Sequence, residues 1–538
     1  AARGPFDVTA TAAMGRIGGF FDAAGDRVPS DPHGQGGLAE SRSWDAFAKL
    51  GLALGGARRL QLTGNWYDLE QQTDFVTLPS AELGKASVRE GLELDQPQNA
   101  KNGYLSLDYT QPFAGGRAHA QLYYRDYLTR FGPSVRQLRR QEAGDTARVR
   151  RAYVTQSFLD SEKGGGRLEL ETRLGARRGA PSVTWGADYV DERTFQALNV
   201  FDRDAWTAGD SLVYRKTDEW MWVPPLHTRS LGLFAQAAWS PVEPLTVRGG
   251  IRHERARADV HDFTTIEQVA VTGGALRYRP VLLNAGAVVT PVRGVDVFAN
   301  FSQGFSLADL GRILRGATSG FILGTHSVDA QLVDQYEVGA RATGRQVQAS
   351  LSLFRNTSAL GSTYDAALNV VRAPERVYGL EATLDVQPAA RWQVGGTFTW
   401  TEGEAFMRRD TLSTDSVWKA LGGYRIQPPK VTGYVQHATT PGWTNRVQLL
   451  ASGRRTRAYE EFLRYAGSAV AGSETPLESF ATLDLLSSLR VGAGTLTLGV
   501  ENLLNRLYFS TVSQLEQGTA YRAAARGRTL TVGYGVRY

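Results

Sequence analysis

The stretch NVFDRDAWTAGDSLVYRKTDEWMWVPP lies within residues 191–227 and carries Phe201, Trp206, Tyr214, Trp220 and Trp222. Such a set of rings would make a stacking platform for a bound molecule, although exposed aromatics more often stack with one another. A second stretch, TRFGPSVRQLRRQEAGDTARVRR (129–151), carries Arg136, Arg139, Arg140, Arg150 and Arg151. That density of guanidinium groups would attract an anion. Covalent chemistry is poorly provided for. The seven histidines are scattered without metal-ligand spacing, and no P-loop, dinucleotide fingerprint or nucleophile elbow occurs. Dispersed Asp and Glu would supply a carboxylate pair only by chance. The residues point to binding rather than catalysis, with no catalytic residue, metal ligand or cofactor expected.

Composition bounds the elements that must hold these side chains. The chain has 538 residues, a formal net charge of +6 and no cysteine. Charge is spread along the sequence rather than gathered in one stripe, which argues against a nucleic-acid partner. The lack of cysteine excludes a disulfide scaffold and suits passage through an oxidising periplasm. No apolar run reaches the roughly 18–20 residues of a transmembrane helix. Glycine (59 residues) and aromatics (10%) are plentiful, as in a long β-protein whose strands each show one apolar face.

Alternation is the dominant pattern. In GRTLTVGYGVRY (527–538), Leu530, Val532, Tyr534, Val536 and Tyr538 share one face, opposite Thr529, Thr531, Gly533, Gly535 and Arg537, because strand side chains have period two. VYGLEATLDV, VQASLSLF and TLTLGVE repeat the pattern, with Glu381, Asp385 and Glu501 on the polar face. A soluble sandwich alternates equally well. Two features favour a transmembrane barrel: strands of about 9–13 residues, and connections that alternate between short turns and stretches of roughly 20–40 residues. Trp239, Trp392 and Trp443 sit beside short turns, and Trp66 and Trp400 near the opposite strand ends, as two aromatic girdles would require. The pattern predicts up-strands near 6–14, 58–68, 115–128, 182–190, 244–256, 293–303, 346–356, 391–402, 441–453 and 495–503. Down-strands are predicted near 44–54, 103–111, 165–176, 228–239, 277–290, 332–343, 376–387, 428–438, 480–490 and 528–538. The expected fold class is therefore all-β, an antiparallel barrel of about twenty strands.

Four motifs then fall in a recognisable order: VFANFSQGFSLADLGRILRG (297–316), QLVDQYEVGAR (331–341), RVYGLEATLDVQPAARWQVGGTFTWTEGE (376–404) and GVENLLNRLYF (499–509). Together with FFDAAGDRVPSDPHGQGGLAESRSWDAFAKLGLAL near the start, they resemble the TonB-dependent outer-membrane receptors, in the hydroxamate and aerobactin-type ferric-siderophore branch. The resemblance covers essentially the whole chain. It implies an outer-membrane, monomeric, 22-stranded receptor that takes up ferric siderophores with energy delivered through TonB. The chain departs from the family in lacking the N-terminal plug and TonB box. With twenty strands opening on an up-strand, residues 1–538 are expected to be the barrel domain without its plug and first hairpin. That is the pattern of a fragment, or of a gene that encodes its plug separately.

The resemblance also assigns roles. Phe305, Arg312 and Arg315 lie just past the Gly-Phe motif, where the family's loop approaches its ligand. Trp206, Tyr214, Trp220 and Trp222 are the candidate ring contacts with a ferric siderophore. For the arginine-rich stretch, lipopolysaccharide phosphate is the favoured partner over the chelate. His326 would be an axial haem ligand only if a Phe-Arg-Ala-Pro pattern accompanied it, and a solvated loop histidine is preferred. Thr531, Gly533, Val536 and Tyr538 resemble the C-terminal signal read by the barrel-assembly machinery. The alternatives are a relative specific for cobalamin, haem or a saccharide, a passive porin, and a barrel enzyme or adhesin. Porins normally have fewer strands, and no lumen-facing catalytic cluster can be assembled. The last strand should close the barrel on residues 6–14, or else leave a gap where a hairpin is missing.

Overall fold

The computed structural model describes residues 2–29, 38–177, 179–307, 309–317, 320–323, 329–361, 363–364, 370–410, 413–465, 470–516 and 518–536. One antiparallel sheet of 23 strands dominates it. Three members, Ala2–Arg3, Gly274–Tyr278 and Ser416–Ala420, are short pieces. The twenty long strands begin with β1 (Phe6–Ile17), β2 (Ser41–Gly55), β3 (Arg58–Gln71), β4 (Asn99–Phe113) and β5 (Gly116–Arg140). Next come β6 (Val149–Arg173), β7 (Ser182–Phe201), β8 (Lys216–Val242), β9 (Leu245–Val260) and β10 (Val281–Val292). β11 (Val295–Ser306), β12 (Gln331–Thr343), β13 (Val347–Ser358), β14 (Glu375–Ala389) and β15 (Trp392–Arg408) follow. The set ends with β16 (Lys430–Thr440), β17 (Trp443–Ser452), β18 (Phe480–Val491), β19 (Gly494–Glu501) and β20 (Thr529–Val536). Each of the twenty expected strands has its counterpart, and every long strand pairs with the next in sequence.

Side-chain direction follows the alternation. Leu62, Leu107, Leu122, Leu168, Leu233, Ile251, Leu351, Leu384 and Leu498 all lie exposed on the outer wall. A soluble protein would not expose apolar area on this scale, but a lipid bilayer covers it. Trp185, Trp239, Trp392 and Trp443 mark the end near the two- and three-residue turns, and Trp44, Trp66, Trp400 and Trp418 mark the other. Trp392 and Trp400 share β15 eight residues apart, about 27 Å along the strand and roughly 20 Å once tilted. Among the described residues no helix is long and apolar enough to span a membrane; strands make the crossing.

Strand length departs from expectation. β5, β6 and β8 run 25, 25 and 27 residues and β7 runs 20, about twice what a bilayer needs. Most of 129–151 and much of 191–227, expected as loops, is hydrogen-bonded wall standing above the membrane. Prolines concealed this. Pro133 sits at a register shift between β5 and β6, and Pro224–Pro225 at another between β7 and β8. The ladder steps past residues that cannot donate to it. Within the GGG of 164–166, Gly165 and Gly166 lie inside β6 where neighbours crowd them. A Cβ on Gly165 would meet the Tyr123 ring and the Tyr189 carbonyl at 2.6 Å.

The expected closure of the last strand on the first does not occur among the described residues. β20 pairs with β19 alone, while β1 pairs with β2 and, on its other edge, with Ala2–Arg3. Among the described residues the two flanks meet above the wall, where the Gly527 N–H donates to the Phe21 carbonyl at 2.9 Å. Of the candidate assembly signal, Thr531, Gly533 and Val536 lie on β20, opposite Gly499, Thr497 and Gly494. Tyr538 falls outside the described residues, as does His326.

Candidate extracellular binding site

Period two places Arg136, Leu138 and Arg140 on one face of β5, and the extended ladder carries that face above the bilayer. Leu138, Leu198 from β7 and Ile266 from the β9–β10 connection form a buried cluster, with Tyr153, Trp220 and Trp222 packed against it. The β9–β10 connection is clamped to the tip of β5. Glu267 accepts the Arg139 backbone N–H at 2.9 Å, and Gln268 accepts that of Gln141 at 2.6 Å. Arg140 donates to the Ile266 carbonyl.

On this base the cations meet the rings. The Arg136 guanidinium carbon lies 4.2 Å from the Trp222 centroid, and that of Arg140 lies 3.6 Å from Trp220. A third arginine arrives from another connection. Helix α2 (Leu310–Arg315) starts at Asp309, whose carboxylate accepts the Arg312 N–H at 2.9 Å. Leu310 and Leu314 pack on Ala258, Val260 and Leu276 of the inner wall. That docking holds Arg315 with its guanidinium 4.4 Å from the Trp222 ring. Tyr153 packs edge-on to Trp220 at 5.2 Å.

The electrostatics favour an anion. Burial lowers the pKa of Arg136 and of Arg140 from the ordinary guanidinium value without discharging either. Arg136 Nε is buried without a hydrogen-bond partner among the described residues. Arg151 differs: it makes a bidentate pair with Asp145 at 2.6 and 2.8 Å. The pairing draws the Asp145 carboxyl down to about 2. Arg151 therefore braces the β5–β6 tip, while Arg139 and Arg150 stay exposed.

The remaining candidate rings form a separate hollow. Helix α1 (Arg203–Ala208) is capped by Asp202, whose carboxylate accepts the N–H groups of Asp204 and Ala205 at 2.8 and 2.9 Å. It sets Trp206 near Tyr214, which packs edge-on to Phe201 at 5.5 Å beside Val154. Trp206 and Tyr214 line a cavity of about 380 Å³ with Phe75 and Tyr521. Burial raises the Tyr214 phenol pKa. Phe305 stands apart, edge-on to Tyr278 at 6.0 Å.

The structure thus joins Trp220, Trp222 and Arg315 in one cluster with Arg312 on the same helix. It joins Trp206 and Tyr214 in another and leaves Phe305 outside both. Sequence reading missed Tyr153, Phe75 and Tyr521. Phe75 and Tyr521 gave no usable signal, because they stand 446 positions apart in the chain. Among the described residues no group of three His, Asp or Glu side chains could hold a metal ion. The site can stack a planar group and neutralise negative charge.

Comparison with known proteins agrees with this geometry. Residues 43–503 match the family model described as "TonB dependent receptor-like, beta-barrel". The chain is 26% identical over 570 residues to the ferric aerobactin receptor of Klebsiella pneumoniae, covering 97% of this chain and 73% of that one. It is 24% identical over 459 residues to the rhizobactin receptor of Rhizobium meliloti, covering 78% and 59%. Among solved structures, the copper transporter OprC superimposes with a TM-score of 0.71 at 15% identity, covering 97% of this chain and 74% of that one. That likeness speaks for the fold alone.

Proposed function

Because this chain belongs to the TonB-dependent receptor β-barrel family, we propose that it takes up a ferric siderophore of the hydroxamate, aerobactin-like class across the outer membrane. The family is one of transport receptors rather than enzymes. The observation that carries the ligand class is Trp222 flanked by Arg136 and Arg315, with Arg136 Nε buried and unpartnered. An iron chelate with anionic oxygens would accept hydrogen bonds from the guanidinium N–H groups that lie against Trp220 and Trp222. No bond is made or broken in this step. The wall and loops capture the chelate, and work supplied through TonB releases it inward.

Residues 1–538 serve as the barrel portion, and an N-terminal plug with its TonB-binding segment completes the receptor. Strand direction supports two further strands at the seam. Ala2–Arg3 runs antiparallel to the upward β1, so its strand runs downward, as β20 does. One more upward strand is then needed between them to keep the sheet antiparallel. The end of β20 serves as the barrel-assembly signal, and the receptor works as a monomer. The test is equilibrium titration of the purified receptor with ferric aerobactin, read by quenching of tryptophan fluorescence. Saturable micromolar or tighter binding that iron-free chelator does not match supports the proposal. Binding only of cobalamin, haem or a saccharide overturns it.

A further inference from the structure

The back of the tall wall carries a second site that siderophore capture does not use. Register pairs Val135 with Val154 and Arg136 with Tyr153 across β5 and β6. Successive strand residues take opposite faces. Arg136 and Tyr153 belong to the cation–ring cluster, so Val135 and Val154 face away from it, and both line the hollow of about 380 Å³. Val154 also lies an even number of residues along β6 from Leu168 of the outer wall. The hollow therefore continues the outward face, about 46 Å along the strand beyond Leu168 and well past the apolar band. Trp206 and Tyr214, expected as contacts for the chelate, stand on the far side of the wall from Trp220 and Trp222.

A strap closes it. The β3–β4 connection lies across this face, where the Gln96 carbonyl accepts a hydrogen bond from Gln156 Nε2 at 2.8 Å. Its stretch Glu93–Leu94 pairs in parallel with Val213–Tyr214, and Asp95 accepts from Arg215 at 3.1 Å. The space beneath is preformed and falls in the range of small-molecule sites, about 300–1,000 Å³. Its lining is mainly apolar, with Phe75, Leu94 and Val154 among the contributors. Among the described residues no charged side chain lines it, so an anionic chelate finds no counter-charge there. Two polar groups are nonetheless buried in the lining without a match. Gln98 is 6% exposed, and its Oε1 accepts no hydrogen bond among the described residues. The Trp206 Nε1–H is buried as well, and its approach to the Tyr214 hydroxyl falls short of a hydrogen bond. Buried polar groups are rarely left unmatched without a reason. One of these is a bare acceptor and the other a bare donor.

We propose that this hollow binds an uncharged small molecule built on one secondary amide with apolar arms. The amide N–H donates to Gln98 Oε1, the amide carbonyl accepts from Trp206 Nε1, and the arms lie against Phe75, Leu94 and Val154. A trans amide carries its donor and acceptor on opposite sides of one plane, so a single group answers both unmatched atoms. A free acid or amine would bring a charge that nothing in the lining neutralises. The site is additional to the chelate cluster and does not depend on it.

The test is calorimetric titration of the purified receptor in detergent with N-benzylbutanamide, subtracting its partition into detergent alone. Benzyl butanoate lacks the N–H, and N-benzylbutylamine is a cation of similar shape. The amide should bind saturably, the ester at least about fivefold and the amine at least about tenfold more weakly, because each leaves a buried group unmatched. Gln98→Met keeps the length of the side chain and removes its acceptor, so the amide's advantage over the ester should shrink below about twofold. Trp206→Phe removes the N–H and should weaken amide and ester together by at least about threefold. The proposal is overturned if the ester or the amine matches the amide, or if Gln98→Met keeps the full advantage. Saturating ferric aerobactin should leave amide affinity unchanged, and displacement would make the hollow part of the chelate site and overturn the proposal too. Absence of saturable amide binding overturns it as well; if ferric aerobactin still binds, the receptor reading is spared. Amide binding without chelate binding would refute the receptor reading and leave the hollow standing. Heat-modifiable gel mobility checks that each variant is folded.

Discussion

Replacing Arg136 by methionine keeps most of the stem that packs near Trp222 and removes the charge together with its N–H donors, so it isolates the polar part of the site. The guanidinium carbons of Arg136 and Arg315 lie 4.2 and 4.4 Å from the Trp222 centroid, hence at most about 8.6 Å apart. At an effective dielectric constant near 20 they repel by roughly 2 kcal/mol. A unit anion settling about 5 Å from either gains roughly 3 kcal/mol from that cation. The mutual repulsion exists before and after binding, so what Arg136→Met removes is the attraction, about 1.5–3 kcal/mol after partial solvent screening. The expected result is a dissociation constant for ferric aerobactin raised about 10- to 150-fold. Raising salt from 0.05 to 0.5 M should weaken wild-type binding only modestly, because a half-buried pair is screened less than a surface one. Trp222→Ala should weaken binding by about 1–2 kcal/mol through loss of the ring face. Fluorescence titration would report this through Trp220, and calorimetry would check it. A change under threefold for Arg136→Met, in a protein that still binds, would refute the assignment of this cluster to an anionic chelate.

Leu314 is wholly buried on the inner wall, so Leu314→Ala should free α2 at a cost of about 2–5 kcal/mol. Siderophore affinity should fall as Arg315 drifts from Trp222, with hydrogen exchange faster across 309–317 and unchanged in β9. Asp145 should brace its tip at every physiological pH. Its carboxyl is held at about 2 by Arg151, so the stabilisation is complete above the unfolded value near 4 and vanishes only as pH falls through about 2. Ligand affinity between pH 5.5 and 8 should therefore be flat with respect to this pair, while Asp145→Asn should speed exchange at 141–148. Ile251→Arg on the lipid face should lower folding stability in bilayers by about 2–4 kcal/mol, measured by urea titration in lipid, whereas the lumen-side Thr432→Arg should change it by less than about 1 kcal/mol. The chain has no cysteine, so introduced pairs read out the seam cleanly. Cysteines at Leu498 and Val532, which face each other across β19 and β20, should cross-link, and those at Val8 and Val532 should not. Cross-linking of the second pair would mean that the barrel closes on twenty strands.

Strand positions were legible because a bilayer imposes one simple rule. Every residue within the apolar band faces either lipid or lumen, so period two persists and any slip would turn charge into lipid. Above the band the rule lapses. Both faces of β5–β8 become polar or packed, prolines enter at bulges, and extended wall reads as loop. Aromatic girdles were legible for the same reason as the strands, since their height is set by the bilayer.

The binding cluster lay beyond that logic. Arg136, Trp222 and Arg315 were each visible as residue types suited to a ligand, yet nothing in their spacing joined them. They come from β5, β8 and the β11–β12 connection, whose convergence depends on wall height, on a helix folded against the inner wall and on a hairpin clamped to β5. Local periodicity carried the kind of sheet, the number of long strands and the face that meets lipid. Tertiary packing alone settled which cations meet which rings, and that among the described residues β20 pairs on one edge with β19. Those outcomes depend on side chains brought together from distant strands and connections, and local pattern carries no record of that meeting.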